Sequence, residues 1–216
     1  MPGIFITLEG MDGCGKSTQI EMLAQALESR RLEIVITREP GGTPVGESVR
    51  SLLVSDASVG ISAATELFLI VGARAQHVVE LIKPSVAAGK IVISDRYTDS
   101  TVAFQGHGRG LDLSMIDEVN ELATGGFRPD LTILFDLDPA VARSRLNARP
   151  MSGWMGAVDE EKLDFHTRVR EGYLNLATRE ANRIRVVEAS GSLEETHAKV
   201  MSLVLPLIQK FEISDL

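Results

Sequence analysis

Gly10-Met11-Asp12-Gly13-Cys14-Gly15-Lys16-Ser17 is the stretch whose reading decides the fold. It matches the spacing G-x-x-x-x-G-K-[ST] in full. The apolar run Ile4-Phe5-Ile6-Thr7-Leu8 precedes it, and from Ser17 to about Ser29 the residues Ile20, Leu23, Ala24 and Leu27 recur at helical spacing. A strand that turns through glycines into a helix builds a nest of backbone N–H groups at a helix N-terminus, where phosphate oxygens bind. In this reading Gly10 to Ser17, with Thr18 after them, wrap the phosphates of a nucleoside triphosphate. Lys16 supplies a full positive charge, and Ser17 offers a hydroxyl to Mg²⁺.

Outward from this loop, strand-like and helix-like segments alternate. Glu33 to Thr37, Ile91 to Ser94, Leu131 to Phe135 and Arg185 to Ala189 read as strands. Helices are expected over about Pro44 to Leu53, Ala63 to Ile82, Pro139 to Asn147, Glu160 to Asn182 and Leu193 to Phe211, with Pro84 ending or kinking the second of these. Apolar strands separated by helices imply an α/β fold with a parallel sheet covered on both faces. One domain over residues 1–216 suffices. Met151 to Val158 breaks the pattern and reads as a mobile flap, at about 149–160.

The 216 residues carry a net charge of −8, so a broad basic footprint for nucleic acid is not expected. No apolar run approaches the roughly 20 residues that span a bilayer. Met1-Pro2-Gly3-Ile4 has no basic region, so no signal peptide is expected. A single cysteine, Cys14, rules out an internal disulfide and suits the cytoplasm.

The loop binds ATP or GTP without saying what the terminal phosphoryl group meets. A small-molecule kinase, a GTPase switch and an ATP-driven motor all use it. Glu161-Lys162-Leu163-Asp164 lacks the asparagine of a guanine-reading N-K-x-D, and 216 residues leave little room for motor modules. A kinase needs a second, arginine-rich cleft. Arg38, Arg50, Arg74, Arg96 and Arg109 supply candidates, and Arg38 and Arg96 each lie at a strand end, where ligands of an open α/β sheet bind.

Leu8-Glu9-Gly10 through Thr18, Thr37-Arg38-Glu39-Pro40-Gly41-Gly42-Thr43, Asp95-Arg96-Tyr97, Ser100-Thr101 and Phe127-Arg128-Pro129-Asp130 together resemble bacterial thymidylate kinase, from about residue 4 to 205. The resemblance implies the P-loop three-layer fold with five parallel strands, a homodimer, and transfer from ATP and Mg²⁺ to thymidine monophosphate (dTMP). By residue, it implies that Asp12 contacts the acceptor's sugar and orients its phosphate. Arg50 and Arg96 clamp that phosphate, with Arg38 alongside, and Arg74 reaches the thymine edge. Ser100, Thr101 and Gln105 hydrogen-bond thymine, and Phe104 crowds the 2′ position. Asp95 holds Mg²⁺ through water or orients Arg96. Position 13 is glycine, so the mobile arginine is assigned to the flap as Arg149, and Arg143 is assigned to adenine.

Two departures stand out. The flap lacks the Asp-Arg-x-Glu usual before Leu163-Asp164-Phe165-His166, and Ile70 stands where relatives place Phe or Tyr against thymine. A kinase for another nucleoside monophosphate, or an ATP-binding protein with weakened transfer, therefore stays open at this point.

Overall fold

β1 (Ile4–Gly10) is buried along its whole length, and the rest of the molecule is arranged about it. In the computed structural model, which describes residues 2–55, 60–148 and 163–214, four further strands run parallel to it. They are β2 (Ile34–Arg38), β3 (Ile91–Asp95), β4 (Leu131–Asp136) and β5 (Ile184–Glu188), in the order β2-β3-β1-β4-β5. The helices are α1 (Lys16–Glu28), α2 (Pro44–Val54), α3 (Ala63–His77), α4 (Lys83–Ala87), α5 (Thr98–Thr101), α6 (Leu113–Thr124), α7 (Pro139–Asn147), α8 (Leu163–Arg179) and α9 (Leu193–Ser214). This is the five-stranded parallel α/β fold that the sequence led one to expect.

The pleat of β1 decides what lies on each side of the sheet, because successive side chains face opposite ways. Ile4, Ile6 and Leu8 enter the main core, which also holds Leu23 and Leu27 of α1 and Val200, Val204 and Ile208 of α9. Phe5 enters a second cluster with Val78, Ile82, Val86, Val92 and Tyr97. Thr7 and Glu9 follow Phe5 on that face, and both are fully buried. One face of β1 thus runs from ring to hydroxyl to carboxylate as it nears the glycine loop. Thr7 Oγ1 lies 2.7 Å from Thr132 Oγ1. Arg183 donates to both oxygens of Asp99 at 2.7 and 2.9 Å and to Thr132 Oγ1. The buried polar layer is therefore hydrogen-bonded.

Sheet register sets the functional end. Leu8 and Arg38 both pair with Asp95, so the three sit level across β1, β2 and β3. The chain moves from β1 toward β2 and β3 on one side, then crosses to β4 and β5 on the other. Ligands of open α/β sheets bind at such a reversal, beyond the carboxyl ends of the strands.

Two local features are not regular α-helix. The helix expected over Ala63 to Ile82 is regular only to His77, and the path is interrupted ahead of Pro84, as expected. A π-helical turn, Val78–Ile82, follows α3, the Lys83 N–H reaches back to the Val78 carbonyl, and Pro84 falls in the first turn of α4. The glycine-rich stretch around Gly106 and Gly108 is π-helical over Val102–Gly108, with α6 close behind. The glycines serve close packing: a Cβ at Gly108 would lie 2.6 Å from the Phe165 ring.

Replacing Ile6, fully buried on the central strand, with alanine is expected to cost about 2–5 kcal/mol in chemical denaturation. Val186→Ala on edge strand β5, 48% exposed, is expected to change stability by less than about 0.5 kcal/mol. Equal losses would contradict the placement of the core.

Candidate active site

The glycine loop ends at Gly15, which takes a left-handed conformation (φ 95°) and starts α1 without a side-chain cap. By contrast, α2, α3, α6 and α7 are capped by Thr43, Ser62, Asp112 and Asp138. The first N–H groups of α1 are thus left for an anion, and the helix dipole favours one there. Lys16 Nζ donates to the Gly10 and Met11 carbonyls, both at 3.0 Å, and lies 3.9 Å from Asp12 Oδ1. The ammonium therefore curls over its own loop. Gly13 (φ 81°) presses on α7: a Cβ there would lie 2.5 Å from the Ala142 carbonyl oxygen. This contact accounts for the lack of a loop arginine at position 13, and it sets exposed Arg143 one residue from the loop's neighbour. Cys14 is buried, and burial pushes its thiol up, away from the reactive thiolate.

Arg96 is where the elements meet. It follows β3 in a left-handed backbone conformation (φ 76°), which is uncommon for a residue with a Cβ. Its N–H donates to the Leu8 carbonyl, and Ser94 Oγ donates to its carbonyl, so the turn is held on both sides. Nη2 donates to Asp12 Oδ1 at 2.8 Å. Nη1 donates to the Gly10 carbonyl (3.0 Å), Ser100 Oγ (3.1 Å) and Tyr173 OH (3.1 Å). The guanidinium carbon lies 4.8 Å from the centroid of the Phe104 ring. Burial disfavours the Asp12 carboxylate, but Arg96 and Lys16 outweigh it and hold Asp12 below the ordinary carboxylate value. The same pairing raises Arg96 further.

The other expected acceptor residues are close by but engaged. Arg74 is 1% exposed. It donates to Glu39 Oε2 (2.7 Å), Thr101 Oγ1 (2.9 Å), Asn120 Oδ1 (2.6 Å) and the Tyr97 carbonyl (3.0 Å). Four of its five donors are thus held by protein. Ser100 Oγ donates to Glu9 and receives Arg96, on the guanidinium side of the site. Gln105 donates to Glu66 Oε1 at 2.6 Å. Arg38 is half exposed and grips both Glu47 oxygens, at 3.0 and 2.9 Å. Arg50 donates to the Pro40 carbonyl, and burial and then the Arg38 charge hold its guanidinium below the ordinary value. Ile70 is buried, one turn before Arg74. Arg149 and the expected flap lie outside the described residues.

The sequence profile of the thymidylate kinase family matches residues 8–200. The chain belongs to the thymidylate kinase family. The thymidylate kinase of Geotalea uraniireducens (strain Rf4) is 44% identical over 207 residues, covering 94% of this chain and 97% of its own. That of Syntrophotalea carbinolica is 48% identical over 194 residues, covering 88% and 90%. The crystal structure of thymidylate kinase from Ehrlichia chaffeensis superposes with a TM-score of 0.77 at 34% identity, over 94% of this chain and all of that one.

Beside the residues expected of a thymidylate kinase family member, the structure brings in some that sequence reading passed over. Glu9 accepts from Tyr97 N (2.7 Å), Ser100 Oγ (2.6 Å) and Tyr173 OH (2.9 Å). Its signal was a carboxylate in an otherwise apolar strand, since a buried charge needs partners. Tyr173, from α8, gave no such signal. Glu39 holds Arg74 and also His77 Nδ1 at 2.9 Å, while His77 Nε2 meets Thr37 Oγ1 at 2.7 Å. Asn120 steadies Arg74 from α6. Hard oxygens stand at the two positions expected to hold a divalent cation. Asp95 Oδ1 is buried without a hydrogen-bond partner among the described residues, and Ser17 lies exposed in the first turn of α1. A few hard oxygens suit Mg²⁺, which keeps water and phosphate as its other ligands.

Burial, and then the Asp99 charge, push the Glu9 carboxyl up from 4.5 to about 7. The folded chain therefore keeps a proton that the unfolded chain has lost between those values, and stability falls as pH rises through that window. Glu9→Gln is expected to flatten this slope in denaturation series from pH 4.5 to 7. An unchanged slope would show that Glu9 titrates normally.

Proposed function

We propose that the chain transfers the γ-phosphoryl group of ATP to the phosphate of dTMP, giving dTDP, with Lys16, Arg96 and Asp12 at the centre of the reaction. Family membership makes it an ATP-dependent nucleoside monophosphate kinase. The observation that carries the residue roles is the contact of Arg96 with Asp12 and the Gly10 carbonyl, which ties an arginine to the loop for the donor's phosphates.

The acceptor is already a phosphate. Its second pKa is about 6, so at neutral pH it is largely ionised and needs no strong base. The obstacle is the meeting of two anions in line, and catalysis rests on positioning and neutralisation. Lys16 turns from its loop carbonyls to the donor's phosphates. Arg96 and Arg50 take the acceptor phosphate, and Asp12 orients Arg96 and receives the sugar hydroxyl. Ile70 and Phe104 wall the base and sugar, and Arg74 supports the thymine end through Thr101. Ser17 and Asp95 are the residues that would hold Mg²⁺, which supplies charge neutralisation between the donor's phosphates. Arg149 brings a mobile charge, and Arg143 lies against adenine. A cytoplasmic homodimer belongs to the same reading. It is supported by exposed Phe68 on α3 and Leu122 on α6; among the described residues no helix is long and apolar enough to cross a membrane.

The test is ADP formation with Mg²⁺ and ATP against a panel of nucleoside monophosphates, where dTMP is expected to be preferred. Preference for another acceptor would overturn the specificity, and no acceptor-dependent turnover would leave an ATP-binding protein. Lys16→Ala is expected to lower turnover at least about 100-fold. Arg149→Ala is expected to lower kcat with little change in the KM for dTMP; a large KM change would move Arg149 to the acceptor site. Ile70→Phe is expected to lower the KM for dTMP several-fold, since a stacked ring adds about 0.5–1.5 kcal/mol beyond burial. A KM that rises or stays put would remove Ile70 from the base wall.

A further inference from the structure

Three oxygens lie within hydrogen-bond distance of one another beneath Arg96. Ser100 Oγ is 2.6 Å from Glu9 Oε2, Tyr173 OH is 2.9 Å from the same oxygen, and the two hydroxyls are 2.8 Å apart. Arg96 Nη1 donates to both hydroxyls at 3.1 Å. The triangle joins β1, α5 and α8, elements far apart in the chain, and Glu9, Ser100 and Tyr173 are all buried. Both hydroxyls donate to Glu9 Oε2. With their protons on the Glu9 side, the hydroxyl lone pairs face the guanidinium and accept from Nη1. That fixes which way Nη1 points. Asp12 fixes Nη2 from the other side.

We propose that Glu9, acting through Tyr173 and Ser100, is a positioning residue that aims Arg96 at the acceptor phosphate. None of the three needs to touch the substrate. Tyr173 is the informative member, because it sits on α8 and reaches Arg96 across the site, while its ring meets Phe104 edge-on at 6.2 Å. A link from α8 to the phosphate arginine makes the aim of Arg96 depend on how α8 is seated against the sheet. The inference rests on the reading of Arg96 as an acceptor-phosphate ligand.

Tyr173→Phe removes one oxygen and keeps the ring, so it tests the link with little disturbance of packing. Dissociation constants for dTMP and for unphosphorylated thymidine would be measured by calorimetry on wild type and variant. Wild type is expected to bind dTMP more tightly than thymidine. In Tyr173→Phe, dTMP binding is expected to weaken about tenfold, the scale of one hydrogen bond to a charged group, with thymidine binding and the KM for ATP unchanged. Ser100→Ala is expected to act in the same direction. Equal loss for dTMP and thymidine would make Tyr173 merely structural and overturn the proposal, as would no loss for either. A wild type that does not prefer dTMP over thymidine would instead overturn the acceptor reading itself.

Discussion

The guanidinium of Arg96 is the interaction on which the site depends. It joins the glycine loop, through the Gly10 carbonyl and Asp12, to Ser100, Phe104 and Tyr173. A buried charge of this kind is tolerated only when its donors are matched, and here Asp12 lies against it with Glu9 one layer behind. The positive φ at Arg96 is part of the same arrangement. An unfavourable backbone conformation persists where the surroundings over-determine it, and here the Leu8 carbonyl and the Ser94 hydroxyl hold it.

Chemistry follows from that constraint. Phosphoryl transfer between two anions asks for fixed positive charge and little else. The sheet delivers it by register, since Leu8, Arg38 and Asp95 are level and the loop opens beside them. The alternation of β1 then decides what backs the charge. Phe5, Thr7 and Glu9 share one face, and the polarity of that face grows toward the reaction centre. Arg74 forms a second node, buried among Glu39, Thr101, Asn120 and the Tyr97 carbonyl.

Much of this was legible in the sequence, for reasons of range. The glycine loop, its strand and its helix are specified by neighbours in the chain, and their spacing announces them. Arg96 was legible because a strand end in a parallel sheet points to the crevice. What escaped was set by contacts between distant residues. The partnership of Glu9 with Tyr173 spans β1 and α8, and no local pattern reveals it. The π-helical turn at Gly108 had no local signal either: the missing Cβ there lets Phe165, far along the chain, pack against it. Pro84 announced an interruption of its helix, but not that this would be the π-helical turn Val78–Ile82. The hydrogen bonds of Ser100 to Glu9 and of Gln105 to Glu66 likewise join residues far apart in the chain. Such pairings follow from packing.

The most direct test of this account is steady-state kinetics of Arg96→Lys, which keeps the charge but loses the planar fork that reaches Asp12 and the hydroxyl pair together. The account predicts that kcat/KM for dTMP falls about 100-fold or more while the KM for ATP stays near that of the wild type. An unchanged kcat/KM for dTMP, or an equal rise in the KM of both substrates, would contradict the claim that Arg96 joins donor loop to acceptor phosphate.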